Sequence, residues 1–240
     1  LPVIILREAR VEWAEASDGK ITPSGAAVID GQLAPDPAAP AMYRFAMNQR
    51  PPAPADSAGP PGGPGSRGVS VTGTWDVAAN RFSAVTTNIP LSAQLHRSMP
   101  RQVRQWWDEH KLAGVLSQFR LNFDPEDGLV LGADLDRVSM VQTVQPQPAG
   151  PVHTINFRNV RGTLTFGITR PFVRASGLRG QILGYAFQAE GEFRGVSAES
   201  PFELLIRFPN ANVTSDYPPL FMAFPVAQDL LQRIRPEGHF

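Results

Sequence analysis

The stretch Phe119-Arg120-Leu121-Asn122-Phe123-Asp124-Pro125-Glu126-Asp127-Gly128-Leu129-Val130-Leu131-Gly132-Ala133-Asp134-Leu135-Asp136 decides the fold. Phe119, Leu121 and Phe123 alternate with Arg120 and Asn122, while Leu129, Leu131, Ala133 and Leu135 are interleaved with Asp134 and Asp136. Successive side chains of a strand point to opposite faces, so each run has one apolar and one polar face. Between the two runs, Asp124 to Gly128 supplies the residues of a hairpin loop. The stretch therefore reads as an antiparallel pair with one face wet.

Working outward, the same alternation recurs at Val69–Val77, Leu164–Ile168, Tyr185–Phe193 and Phe202–Phe208. Weaker candidates lie at Val3–Trp13, Ala27–Leu33, Tyr43–Met47, Phe82–Thr87 and Val152–Phe157. Roughly ten strands, most with a wet face, predict an antiparallel sheet, because buried parallel strands read as continuous apolar runs. Two segments change period. Val103, Trp106, Trp107 and Leu112 take helical spacing after Pro100 and stop at Gly114; Ala227, Leu230, Leu231 and Ile234 do the same after Pro225 and stop at Gly238. The expected class is mainly β with two short helices. The two matching segments make an internal repeat of about 125 residues. Within a single region spanning residues 1–240, the related units are 69–114 and 185–238. Residues 50–68 hold six prolines and five glycines with little to bury, so they read as a disordered loop.

Composition narrows the function classes. Twenty-two basic and 22 acidic side chains cancel, which leaves no overall electrostatic footprint for nucleic acid. With no cysteine the chain has neither disulfides nor thiolate metal ligands. His96, His110, His153 and His239 stand in four unrelated contexts, so no metal site is expected. Asp134 and Asp136 share a strand face and have the residue type for acid–base work or cation binding, but their places are the polar half of an alternating run. No nucleophile elbow, phosphate loop or dinucleotide fingerprint is present. The chain is not expected to be an enzyme or to carry a cofactor. Trp106-Trp107 reads as a helix packed on the end of the sheet, one ring inward and one near the rim. The chain opens at Leu1 without Met or a long apolar run, and it reads as a piece of a longer protein.

The order of the short motifs carries a family resemblance. Gly73-Thr74-Trp75-Asp76 is followed by Ile89-Pro90-Leu91, by Met99-Pro100 and a short helix with Trp, and by Leu112-Ala113-Gly114 opening a strand pair. Ala133–Ser139 and then Phe157-Arg158-Asn159-Val160-Arg161-Gly162-Thr163-Leu164-Thr165-Phe166 complete the series. This resembles the AsmA-like family of bacterial envelope proteins, of the TamB and YhdP types, over roughly Val69 to Phe240. The resemblance implies an elongated antiparallel sheet, curled into a repeating β-groove with an apolar inner face. It also implies a periplasmic protein, anchored in the inner membrane by a segment outside this stretch, that serves lipid transport and outer membrane biogenesis. Its partners would be phospholipid acyl chains and, through the parent protein, the inner and outer membranes. On that reading Phe119, Leu121, Phe123, Leu129, Leu131, Leu164, Phe166, Ile168, Tyr185 and Phe187 would contact the acyl chains. A second reading of the same pattern is a compact β-sandwich, a structural or adhesion module of the envelope that binds glycan through exposed tryptophan.

Overall fold

The computed structural model describes residues 2–17, 20–49, 69–99, 101–145, 152–195, 201–209, 212–213 and 238–239. In chain order they form β1 (Ile4–Ser17), β2 (Lys20–Asp36), β3 (Ala39–Gln49), β4 (Ser70–Asp76), β5 (Arg81–Pro90), α1 (Ala93–Ser98), α2 (Arg101–His110), β6 (Ala113–Asp124), β7 (Gly128–Val144), β8 (His153–Gly167), β9 (Phe172–Ile182), β10 (Tyr185–Arg194) and β11 (Phe202–Arg207). A two-residue pair, β12 (Asn212–Val213) with β13 (Gly238–His239), stands apart from the main sheet.

Strands β1 to β11 make one antiparallel sheet in strict sequence order, and β1 does not pair with β11, so the sheet is open. It is the curled, groove-like, mainly β architecture with two short helices. The described strands do not divide into the two stacked layers of a sandwich. Connections of two to four residues join β1 to β2, β2 to β3, β4 to β5, β6 to β7, β8 to β9 and β9 to β10, and they enforce the up-and-down order there. The β6–β7 turn is the expected one at residues 125–127. The β9–β10 turn consists of Leu183 and Gly184 at φ of 51° and 92°, the two positive angles that a tight hairpin matching strand twist requires.

A line of irregularities crosses the middle strands. Asn88 on β5, Arg137 on β7, Asn159 on β8 and Gly177 on β9 all have positive φ. The last three coincide with register shifts in their ladders. A bulge places two residues opposite one and bends and twists its strand. Bulges on successive strands bend the sheet along a common seam, and this is the local origin of its curl. The sequence motif Asn159–Gly162 is one such site, with Gly162 at φ 127°. Gly114 on β6 has the same φ and stands against Arg137 and Val138, as Gly162 stands against Gly177 and Leu178.

Both described helices lie between β5 and β6. Ser92 caps α1, its Oγ accepting from the Leu95 amide at 3.4 Å. Met99 is extended, as a residue preceding proline tends to be, and separates α1 from α2. The sequence predicts one helix here, whereas two are present: six residues are too few for α1 to display a helical period. The helix expected after Pro225 and the loop at 50–68 lie outside the described residues.

The helical pair covers one end of the sheet, with α2 against β7 and α1 near β2. Leu91 and Leu112, which flank the pair, pack on a cluster of Val138, Ile155, Val160, Ile182 and Phe187. Trp107 is buried and meets the His96 ring edge-on at 5.6 Å; Trp106 is exposed and stacks on His110 at 4.6 Å. The two rings thus divide as expected, one inward and one at the rim.

Candidate functional site

Strand register sorts the side chains by face. Ile4, Leu33, Phe45, Gly73, Ala84, Leu121, Leu131, Phe166, Val173, Phe193 and Phe202 are successive register partners, one from each of the eleven strands. Partners in register share a face, so this is an unbroken apolar row across the whole sheet. Gly73 belongs to it for a steric reason. Phe45 stacks on Phe82 at 5.2 Å, reaching across the bare backbone of Gly73 to a ring two strands away.

The adjoining row contains Met47, Val71, Thr86, Phe119, Ala133, Leu164 and Ala175. Thr86 is its polar interruption, and its Oγ1 is buried without a hydrogen-bond partner among the described residues. On the other side, Tyr43, Trp75, Phe82, Phe123 and Leu129 form a third row, which Ile168 extends by donating its amide to the Leu129 carbonyl at 2.8 Å.

Eight of the ten residues expected at the site therefore fall together on three adjacent rows: Phe119, Leu121, Phe123, Leu129, Leu131, Leu164, Phe166 and Ile168. All but Ile168 are half-buried, and Ile168 is 53% exposed. The remaining two differ. Phe187 is only 4% exposed and meets Phe157 edge-on in the cluster beside the helices, filling the space that Gly180 leaves. It is core, packed with Val138, Ile155, Val160 and Ile182. Tyr185 pairs with Ile182 at the end of β10 and is 37% exposed, away from the three rows. The sequence reading overlooked Leu33, Phe45, Val173, Phe193 and Phe202 as members of the same surface. The alternation of all but Val173 was visible, but the register that aligns them with Leu121 and Phe166 is not written in any one strand.

Within the described residues the face carries little cover. Among the described residues only eleven apolar side chains are buried, and they concentrate near the helices and around Phe45. Toward the two edges the row opens, with Ile4 46%, Val173 38% and Phe202 66% exposed. A sheet face of this character ordinarily carries a second layer; here the helical pair covers one end.

The opposite face is polar and laced with ion pairs. Asp134 accepts from Arg120 and from the Thr163 hydroxyl, both at 2.8 Å, and Asp136 lies 3.2 Å from Arg161 and 3.3 Å from Arg137. Both aspartates are therefore engaged by arginines on the outer face. No group of three or more metal-ligating side chains exists among the described residues. No helix among them is long and apolar enough to cross a membrane.

No family model matches the chain, and neither does any curated protein or any solved structure. The likeness to the AsmA-like family thus rests on the order of the short motifs alone.

Proposed function

We propose that this region is a non-enzymatic segment of a bacterial envelope lipid-transfer protein, guiding phospholipid acyl chains along the apolar face of its sheet. The single observation that carries this reading is the apolar row, continuous over eleven strands and exposed at both ends. Each methylene moved from water onto apolar surface gains about 0.8 kcal/mol. Ten such groups gain about 8 kcal/mol, enough for micromolar retention, and no bond need form or break. Movement along the row is passive, from one apolar contact to the next. The setting that fits is the periplasm, with anchoring to the inner membrane through a segment outside this stretch.

The test is native mass spectrometry for co-purifying phospholipid. Phe166→Asp places a charge in the middle of the row and is expected to lower bound lipid at least about tenfold, since an unpaired carboxylate in an apolar site is costly. Thr165→Asp, one residue away on the polar face beside Arg174, is expected to retain it. If wild type carries no lipid and Phe166→Asp loses its circular-dichroism signal, the row is ordinary core and the proposal fails.

A further inference from the structure

On most of the polar face each arginine has its acid. Arg120 meets Asp134, Arg81 meets Asp124, and Arg174 and Arg194 share Glu192. The pattern breaks over β8 to β11. Arg161 on β8 is the register partner of Arg179 on β9; Arg179 is opposite Gln188 on β10, and Gln188 is opposite Arg207 on β11. Arg161 shares Asp136 with Arg137. Arg179 and Arg207 are exposed and have no acidic partner within ion-pair distance among the described residues. Like charges directly opposite on neighbouring strands repel; Arg161 and Arg179 are so placed, and an anion held by Arg179 would offset that repulsion.

The surface there is also shaped. The positive-φ position of Gly177 leaves nothing within 4 Å of where a Cβ would stand. Beside it lies an open depression of about 220 Å³ lined by Arg179, Gln188, Glu190 and Arg207, among others. Two strand spacings set Arg179 and Arg207 about 10 Å apart at the backbone. The forked guanidinium donors can converge over Gln188, whose amide supplies a neutral donor. Glu190 borders the depression with opposing charge, so the ligand must meet the arginine side of it.

We infer that the outer face of β9 to β11 is a binding site for a phosphate-bearing anionic group, held by Arg179 and Arg207 with Gln188 between them. The inference is independent of the acyl-chain reading, because it uses the opposite face of the sheet. A lipid headgroup and a free phosphate present the same chemistry, and the experiment separates them. Binding is measured for vesicles of phosphatidylglycerol in phosphatidylcholine by flotation, and for inorganic phosphate and soluble glycerophosphoglycerol by calorimetry. Arg179→Gln combined with Arg207→Gln is expected to weaken binding at least about tenfold, while Arg174→Gln, whose partner Glu192 already neutralises the arginine, changes it less than about twofold. Binding of the soluble phosphates with these properties assigns the site to phosphate itself; binding of vesicles alone assigns it to headgroups displayed on a surface. Absence of all binding overturns the inference, as does equal loss in Arg174→Gln or undiminished binding by the double variant.

Discussion

At Gly162 the backbone adopts φ 127°, and a Cβ there would stand 2.7 Å from the Gly177 carbonyl oxygen and 2.8 Å from the Leu178 Cα. Both obstacles are backbone of the neighbouring strand, which cannot swing aside as a side chain does. At Gly177, φ is 57° and a Cβ would meet open space, so only the left-handed angle opposes a side chain there. Gly162→Ala is therefore expected to destabilise by about 2–4 kcal/mol and Gly177→Ala by about 1 kcal/mol. Thermal melts check the order, since each kcal/mol shifts Tm by about 2–4 °C in a chain of this size. Equal shifts would mean that β9 yields and that the close approach imposes no constraint. These positions also mark the limit of what residues alone disclose. The string Asn159–Gly162 stood out as a motif, and Asn and Gly are the residues that tolerate left-handed angles. That the string bends a strand became clear only from its pairing. Phe187 shows the same limit: its alternation matches that of Phe166, yet one ring is core and the other is half-open.

At the scale of elements, the outer faces of the strands are tied by carboxylates held in their ionised form. Hydrogen bonds from Arg194 and Arg174 keep Glu192 below the usual carboxylate range. The amide of Glu126, with help from Arg81, does so for Asp124 at the β6–β7 turn. The amide of Ala38, with Arg44, does so for Asp36 at the β2–β3 turn. A depressed folded-state value means that the contribution is complete above the unfolded value near pH 4 and is lost as pH falls through the folded one. Melts taken from pH 7 down to pH 2 are expected to hold level to about pH 4 and then drop. Glu192→Gln should make that drop shallower; an unchanged profile would show that the β9–β10 pair gains nothing from the Arg174–Glu192–Arg194 cluster. Most of these elements were legible from period-two alternation, and the β6–β7 hairpin was legible to its turn. β9 was not. Its inward residues are Val173 and Ala175, then Leu178, Gly180 and Ile182, so the bulge at Gly177 shifts the phase midway and two of the five are too small to register as apolar.

At the scale of the molecule, eleven strands at about 4.8 Å spacing give a sheet roughly 48 Å across. The longest strands, β2 and β7, have 17 residues and run for about 56 Å if fully extended. A single layer of that extent cannot have the dimensions of a compact body of equal mass. Folded into a sandwich, 240 residues would have a radius of gyration near 18 Å. Among the described residues no second layer lies on the open sheet, and its apolar face is covered at one end by 16 helical residues, six in α1 and ten in α2. Small-angle scattering is therefore expected to give a radius of gyration well above 18 Å and a pair-distance function skewed to long distances. The helices and the seam of bulges set how far the sheet curls, so the skew should persist when bound lipid is stripped with detergent and the detergent is removed. A value near 18 Å with a symmetric distribution would mean that the sheet closes on itself in solution. The row from Ile4 to Phe202 would then be an interior, with no surface left for a ligand.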